Sequence, residues 1–185
     1  VRLGVRTDGT ITSLEAVLVA DAGAFPGLGA MLPGGTRMMS QGNYRIPRIQ
    51  VATVAVATNK APTGAFRGAG RPEATYLIER VVDIAAGRVG LDPVEMRRRN
   101  LLDADGFPVK TATGATYDSG DYHRALDTAV AVAGYDRLRA EQAERRERGD
   151  RVQLGIGVAS YVEVTARAGS SEYASVEVAE SGRGV

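Results

Sequence analysis

The segment TGAFRGAGRPEATYLIER, residues 63–80, stands between a predicted β-strand and a predicted α-helix. Residues 49–58, just before it, alternate in polarity and are rich in β-branched side chains, which predicts a strand. Pro72 and Glu73 suit the first turn of a helix. Small and apolar residues then recur at helical spacing: Ala74, Leu77, Ile78, Val81, Val82 and Ala85. A strand, a glycine-rich loop and a helix therefore follow one another here.

Strands are also predicted on the N-terminal side of this segment. Residues 1–5 and 11–20 flank an Asp8-Gly9 pair, which is typical of a β-hairpin. Residues 21–43 are rich in glycine and proline and have no periodicity, so they are predicted to form a long loop.

Helices dominate the C-terminal side of the segment, followed by more strands. Asp92-Pro93-Val94-Glu95 has the form of a capped helix start. Further helices are predicted over residues 121–133 and 136–148, and strands over residues 152–165 and 173–178. The predicted fold class is α+β, with β-hairpins, a mixed sheet and about four helices. A boundary near residue 103 would divide the chain into residues 1–102 and 103–185.

Composition excludes several kinds of function. The chain has 23 basic and 22 acidic residues, so its charge gives no reason to expect nucleic acid or an anionic membrane as a partner. It has no cysteine and one histidine, His123, which excludes disulfides and thiolate metal sites and argues against protein-bound zinc. Any metal is therefore expected to arrive inside a cofactor. No apolar run approaches the roughly 20 residues of a membrane span, and no signal peptide is visible.

The glycine-rich loop is the strongest candidate for chemistry. Gly64, Gly68 and Gly70 let the backbone approach a ligand, and the helix start beyond them offers unpaired N–H groups. Arg67 adds a cation whose fork geometry suits phosphate or oxo groups. The spacing matches neither a P-loop nor a dinucleotide fingerprint. A plain glycine loop with Arg67 in a surface ion pair is the alternative, and a generic anion-binding protein is another.

Ala65-Phe66-Arg67-Gly68 resembles the AFRG or AYRG motif of the molybdenum-binding large subunit of the xanthine dehydrogenase, aldehyde oxidase and carbon monoxide dehydrogenase family. Residues 57–62, 71–80, 91–101 and 155–163 also resemble family positions, so the likeness covers essentially the whole chain. It implies part of the molybdopterin-binding domains of a molybdenum hydroxylase, located in the cytoplasm.

The resemblance implies a role for each residue of the loop. Cofactor contacts are expected from Ala65, Phe66, Arg67, Gly68 and Gly70, with Arg67 also catalytic because it would offset negative charge at the metal centre. The substrate pocket would include Ala69, Glu163, Val164 and Thr165, although Glu163 has an alternative as a surface residue at a strand end. The implied cofactor is molybdopterin in its cytosine dinucleotide form. FAD and 2Fe-2S clusters would lie on a medium and a small partner subunit.

Two positions depart from well-known members of the family. Carbon monoxide dehydrogenase has a copper-binding cysteine after the arginine, where this chain has Gly68. Xanthine dehydrogenase has a purine-stacking aromatic residue where this chain has Ala69. The resemblance therefore implies hydroxylation of an aldehyde or an N-heterocycle, with water as the oxygen source.

Both ends of the sequence look cut, which favours a fragment. The family's general base would lie beyond residue 185, so the isolated chain is expected to bind cofactor poorly and to have no turnover. A truncated or degenerate module with a structural or interaction role is the alternative. Outside the loop, His123 is interpreted as a capping or surface residue. The run Arg97-Arg98-Arg99 is interpreted as a solvated face or an interdomain salt-bridge row.

Overall fold

The computed structural model describes residues 1–164 and 173–184. Its strands are β1 (Arg2–Val5), β2 (Ile11–Gly23), β3 (Ile49–Ala57), β4 (Val109–Lys110) and β5 (Thr116–Tyr117). Its α-helices are α1 (Leu32–Met39), α2 (Arg71–Val89), α3 (Pro93–Asn100), α4 (Tyr122–Ala133) and α5 (Tyr135–Arg148). Short 3-10 helices cover Gly27–Met31 and Ala104–Gly106. The α+β class is confirmed, with five described α-helices where about four were expected.

The sheet that precedes the glycine-rich loop is mixed, as predicted. β1 pairs antiparallel with β2, and β2 pairs parallel with β3. The hairpin turn closes because the Gly9 amide donates to the Arg6 carbonyl at 2.9 Å and the Thr10 amide donates to the Asp8 carboxylate at 2.8 Å. β4 and β5 form a separate antiparallel pair. β3 runs directly into the segment that leads to α2.

The helix boundaries follow the local sequence. Gly90 ends α2 in a left-handed conformation (φ +73°). The Asp92 carboxylate accepts from the Val94 amide at 2.8 Å and so caps α3. Gly134 and Gly149 end α4 and α5 in the same left-handed way. None of the described helices is long and apolar enough to cross a membrane.

The prediction of an open loop over residues 21–43 is wrong, because this stretch contains α1. The helix includes Gly34 and Gly35, which disfavour helix formation locally. Pro33, Thr36 and Met39 are nevertheless buried on one side of it, and the helix lies against α2. Tertiary packing therefore stabilises a helix that its own sequence does not predict.

The strands predicted over residues 152–165 and 173–178 are also wrong for the residues that the structure describes. Burial does alternate from Leu154 to Val164, but no other described segment pairs with this stretch, and a strand requires a hydrogen-bonded partner. In the second stretch, Val178 forms an isolated antiparallel bridge with Gly184. Thr165 lies outside the described residues.

The core of the molecule contains a buried ion-pair network, which corrects the interpretation of Arg97 as solvated. The Arg97 side chain is 0% exposed and donates to Glu79 on α2 at 2.8 Å and to Asp83 at 2.8 Å. Buried apolar side chains from the sheet, α2 and α3 form a core cluster that includes Ile11, Leu14, Ile78, Val82, Val94 and Met96.

The neighbouring arginines differ from Arg97, because both are partly exposed. Arg98 pairs with Asp127 of α4 at 2.8 Å. Arg99 pairs with Glu95 within α3 at 2.7 Å.

Candidate functional site

The loop between β3 and α2 is anchored at its start by Asp21 of β2. The Asp21 carboxylate pairs with Lys60 at 2.8 Å and accepts from the Thr58 hydroxyl at 2.7 Å and from the Gly23 amide at 3.0 Å. The Asp21 carbonyl oxygen accepts from the Thr63 hydroxyl at 3.0 Å. These partners favour the ionised carboxylate and lower the pKa of Asp21 to about 2. Lys60 has the largest effect among them.

The end of the loop lies directly against α1, and glycine makes this contact possible. A β-carbon at Gly70 would lie 2.6 Å from the Leu32 carbonyl oxygen and 2.8 Å from the Thr36 amide nitrogen. A β-carbon at Gly35 would lie 2.8 Å from the Ala69 carbonyl oxygen. The two backbones are therefore too close for larger residues, which gives Gly35 and Gly70 a packing role.

The backbone of the loop turns through three consecutive residues with positive φ. Gly68, Ala69 and Gly70 have φ values of +101°, +40° and +94°. The Ala69 amide donates to the Phe66 carbonyl at 2.8 Å, and the Arg71 amide donates to the Gly68 carbonyl at 3.0 Å. Ala69 is the one non-glycine residue with positive φ in the described part of the chain. Such a conformation is strained for alanine and needs support from its surroundings.

The tip of the loop presents groups that suit an anionic ligand. Phe66 is 88% exposed, and Ala65 and Arg67 beside it are also exposed. Within residues 1–164 and 173–184, no carboxylate pairs with Arg67, and the amides of Arg67 and Gly68 donate no hydrogen bond. The surface ion pair of the alternative interpretation is therefore not found among these residues. An exposed cation beside two such amides, in the loop before α2, fits the negatively charged oxygens of a molybdopterin cofactor.

Arg71, the first residue of α2, connects the loop to the extended segment near residue 163. Its Nε atom lies 2.7 Å from Oε1 of Glu163, an ion pair without hydrogen-bond alignment. Its Nη1 group donates to the Gly68 carbonyl at 3.1 Å, and its Nη2 group donates to the Val164 carbonyl at 3.5 Å. Glu163 and Val164 are therefore brought beside the loop, from which they are more than 90 residues away in sequence.

Sequence reasoning did not single out Arg71 as a site residue. One signal was present: an arginine in the first turn of a helix faces the positive end of the helix dipole. Such a residue needs a compensating acceptor from elsewhere, and Glu163 is that acceptor. Among the predicted site residues, Ala65 to Gly70 form the loop, Glu163 and Val164 flank it, and Thr165 is outside the described residues.

Two other features are separate from this loop. A cleft of about 410 Å³ lies between α4, α5 and residues 156–161, and its lining is mostly apolar. His123 is half-exposed, with Nε2 3.5 Å from Asp103, and α4 is capped by Asp121 instead. The described residues contain no cluster of three or more His, Cys, Asp or Glu side chains that could hold a metal ion.

Comparisons with known proteins support the cofactor that this geometry suits. The family described as "Molybdopterin cofactor-binding domain" matches residues 1–101. The carbon monoxide dehydrogenase large chain of Hydrogenophaga pseudoflava is 41% identical over 167 residues, which are 88% of this chain and 21% of that protein. The subunit gamma of the 6-hydroxypseudooxynicotine dehydrogenase complex of Paenarthrobacter nicotinovorans is 36% identical over 147 residues, 77% of this chain and 18% of that protein.

Solved structures show the same fold. Quinoline 2-oxidoreductase from Pseudomonas putida 86 superposes with a TM-score of 0.74 at 32% identity, over 80% of this chain and 19% of that chain. The chain thus spans about a fifth of the length of the relatives that it matches. By these matches the chain belongs to the molybdopterin cofactor-binding domain family.

Proposed function

We propose that residues 65–70 face the molybdopterin cofactor in a complete large subunit that hydroxylates an aldehyde or an N-heterocycle with water as the oxygen source. The observation that carries the proposal is the exposed Arg67, which pairs with no carboxylate among the described residues, beside two amides in the loop before α2 that donate no hydrogen bond there. The cofactor, when bound, supplies the redox-active molybdenum centre. Arg67 would offset negative charge there, and Phe66 would cover one side of the cofactor.

The conformation of Gly68 supports a substrate other than carbon monoxide. Its φ of +101° is rare for residues with a side chain, and a β-carbon would lie 2.9 Å from the ring of Pro72. A copper-binding cysteine would therefore not fit at this position without a change in the loop. Ala69 has φ +40° and a small side chain, which leaves no stacking aromatic group there.

The names of several relatives also favour an N-heterocycle. The matches include a nicotine 6-hydroxylase large subunit (29% identical) and a nicotinate dehydrogenase large molybdopterin subunit (29% identical), besides the quinoline 2-oxidoreductase structure. The carbon monoxide dehydrogenases among the relatives are the counterexample, so the substrate class has to be tested directly.

The arrangement of the complete enzyme is part of the same proposal. Residues 1–102 would belong to the first molybdopterin-binding domain and residues 103–185 to the second. The remainder of the large subunit, an FAD-binding medium subunit and a 2Fe-2S small subunit would be the partners, in the cytoplasm. The cofactor would be the cytosine dinucleotide form, and Ala69, Glu163, Val164 and Thr165 would border the substrate pocket.

The test uses the complete large subunit purified with its partner subunits. Arg67→Ala is compared with Arg88→Ala, which removes an exposed arginine from the opposite end of α2. We expect Arg67→Ala to lower the turnover of an N-heterocycle or aldehyde about 100-fold or more, as loss of a charge-stabilising group does. Arg88→Ala should leave turnover unchanged. Equal turnover in the two variants would contradict the role of Arg67.

The isolated 185-residue chain provides a second measurement. Because the proposed general base lies outside these residues, we expect no turnover and far less than one molybdenum per chain by metal analysis. Stoichiometric molybdenum together with activity in the isolated chain would contradict the proposal that the rest of the subunit is required.

A further inference from the structure

We infer that Arg71 and Glu163 form a latch that holds the Phe66–Gly70 loop in its strained conformation, so that both are positioning residues for the proposed cofactor-facing loop. Only the role of the latch, which is to position a loop that faces the cofactor, rests on the proposed function. The latch itself is a property of this chain, and it can be measured without a cofactor.

The guanidinium of Arg71 joins the loop to residues 163–164. Its side chain is mostly buried, and one guanidinium reaches both the Gly68 carbonyl within the loop and the Val164 carbonyl outside it. The planar group cannot shift toward one partner without loosening its contact with the other. The position of Gly68 therefore depends on where residues 163–164 lie.

Residues 158–164 are themselves held by hydrogen bonds from the core. The Ser160 amide donates to Glu79 at 2.9 Å, and the Val158 carbonyl accepts from Arg97 at 2.6 Å. Asn43 donates to the Ser160 hydroxyl at 2.6 Å. The segment is thus fixed at one end to the buried charges of the core, and three residues further on Glu163 meets Arg71. The latch connects the rigid core to the loop.

The strained loop needs the support that Arg71 gives it. Ala69 holds a φ of +40°, which an alanine leaves readily when its surroundings permit. Within the described residues, the carbonyl of Gly68 accepts from the amide and from the guanidinium of Arg71. Without the ion pair to Glu163, the guanidinium is free to turn to solvent, and the turn at Ala69 loses one of its restraints.

The experiment measures amide hydrogen exchange and amide chemical shifts in the 185-residue chain. In Glu163→Gln, which removes the charge but keeps the shape, we expect the Ala69 amide to exchange about fivefold faster, the effect of losing one partly exposed ion pair. Core amides such as that of Val82 should keep their rates. The control is Asp127→Asn, which breaks the more exposed Arg98–Asp127 pair far from the loop in sequence.

The conservative variant Glu163→Asp distinguishes a latch from a general structural role. It keeps the charge that faces Arg71, so the Ala69 amide should exchange more slowly in it than in Glu163→Gln. Unchanged Ala69 exchange in Glu163→Gln, an equal change in Asp127→Asn, or equally fast exchange in Glu163→Asp and Glu163→Gln would overturn the latch. So would acceleration of all amides together, which indicates loss of global stability.

The outcome is independent of the test of the proposed function. Faster exchange in Glu163→Gln with no turnover defect in Arg67→Ala would support the latch and contradict the cofactor-facing role. The reverse pattern would support the role and overturn the latch.

Discussion

Arg97 on α3 and Arg67 in the loop before α2 differ in how their positive charge is compensated. Arg97 is fully buried, and all five of its N–H donors are used, on Glu79, Asp83 and two backbone carbonyls. Arg67 is exposed and has no ion-pair partner in the described part of the chain. A buried charge must be satisfied by the protein itself, whereas an exposed charge remains available to a ligand.

The difference separates a region that serves the fold from the region that we propose to serve binding. The Tyr44 hydroxyl also donates to Glu79, and burial raises the pKa of Tyr44 well above its ordinary value, so the phenol stays protonated. The network around Glu79 is therefore closed to further ligands. The loop at Arg67 is open, strained and supported from outside, which is typical of functional sites.

The largest effect is expected from breaking the buried network. Arg97→Ala leaves Glu79 buried without its cation, which should lower the free energy of unfolding by about 3 to 5 kcal/mol. Urea denaturation of the variant and the parent chain measures the change. Arg99→Ala, which removes a partly exposed pair in the same helix, should cost about 1 kcal/mol or less. Similar losses in both variants would contradict the distinction between the buried and the exposed arginines.

The next largest effect concerns the contact between the loop and α1. Gly70→Ala places a β-carbon against the backbone of Leu32 and Thr36 at φ +94°, which should cost about 1 to 3 kcal/mol. Gly87→Ala is the control, because it lies inside α2 with no atom within 4 Å of an added β-carbon, and should stabilise by about 0.5 to 1 kcal/mol. Thermal unfolding that shows the same sign for both would contradict the packing role of Gly70.

A smaller effect is expected from pH at the start of the loop. The pKa of Asp21 is lowered from 3.8 to about 2 in the folded chain, so its contribution to stability is present above about pH 4 and is lost as the pH falls through about 2. Asp21→Asn should therefore be less stable than the parent chain at pH 7, and the difference should shrink from pH 4 downward. Denaturation at several pH values measures it.

The control for this pH effect is Asp105→Asn, which removes an exposed acid that forms no ion pair in the described part of the chain. It should show a smaller difference from the parent chain at every pH. A gap between Asp21→Asn and the parent that stays constant from pH 7 to pH 2 would show that the carboxylate charge does not stabilise the loop.

The smallest effect on stability is expected at Arg67. Because its side chain is exposed and has no ion pair in the described chain, Arg67→Ala should change the free energy of unfolding by less than about 0.5 kcal/mol. The same substitution is the one expected to reduce turnover most in the complete subunit. A large loss of stability in chemical denaturation would show that Arg67 serves the fold, and would remove the contrast with Arg97.

Much of the fold was predictable because the signals are local. The Asp8-Gly9 hairpin, the Asp92 cap and the glycine ends of α2, α4 and α5 each depend on residues within a few positions of one another. The two stretches beyond residue 151 were predicted wrongly because alternation predicts which side of a strand is buried, and it does not supply a partner strand. The family motif around Arg67 was also visible, since it lies in one continuous segment.

The sequence by itself determined the hairpin at Asp8-Gly9, the succession of strand, glycine loop and helix over residues 49–89, and the identity of the exposed groups at residues 65–67. Only the tertiary structure decided that Arg97 is buried, that α1 is a helix packed on Gly70, and that Arg71 meets Glu163. Hydrogen bonds and φ preferences act between near neighbours and leave a mark in the sequence. Burial and ion pairing join residues that are distant in sequence. The charge pattern of the sequence alone therefore does not show which arginine forms an ion pair with a distant carboxylate.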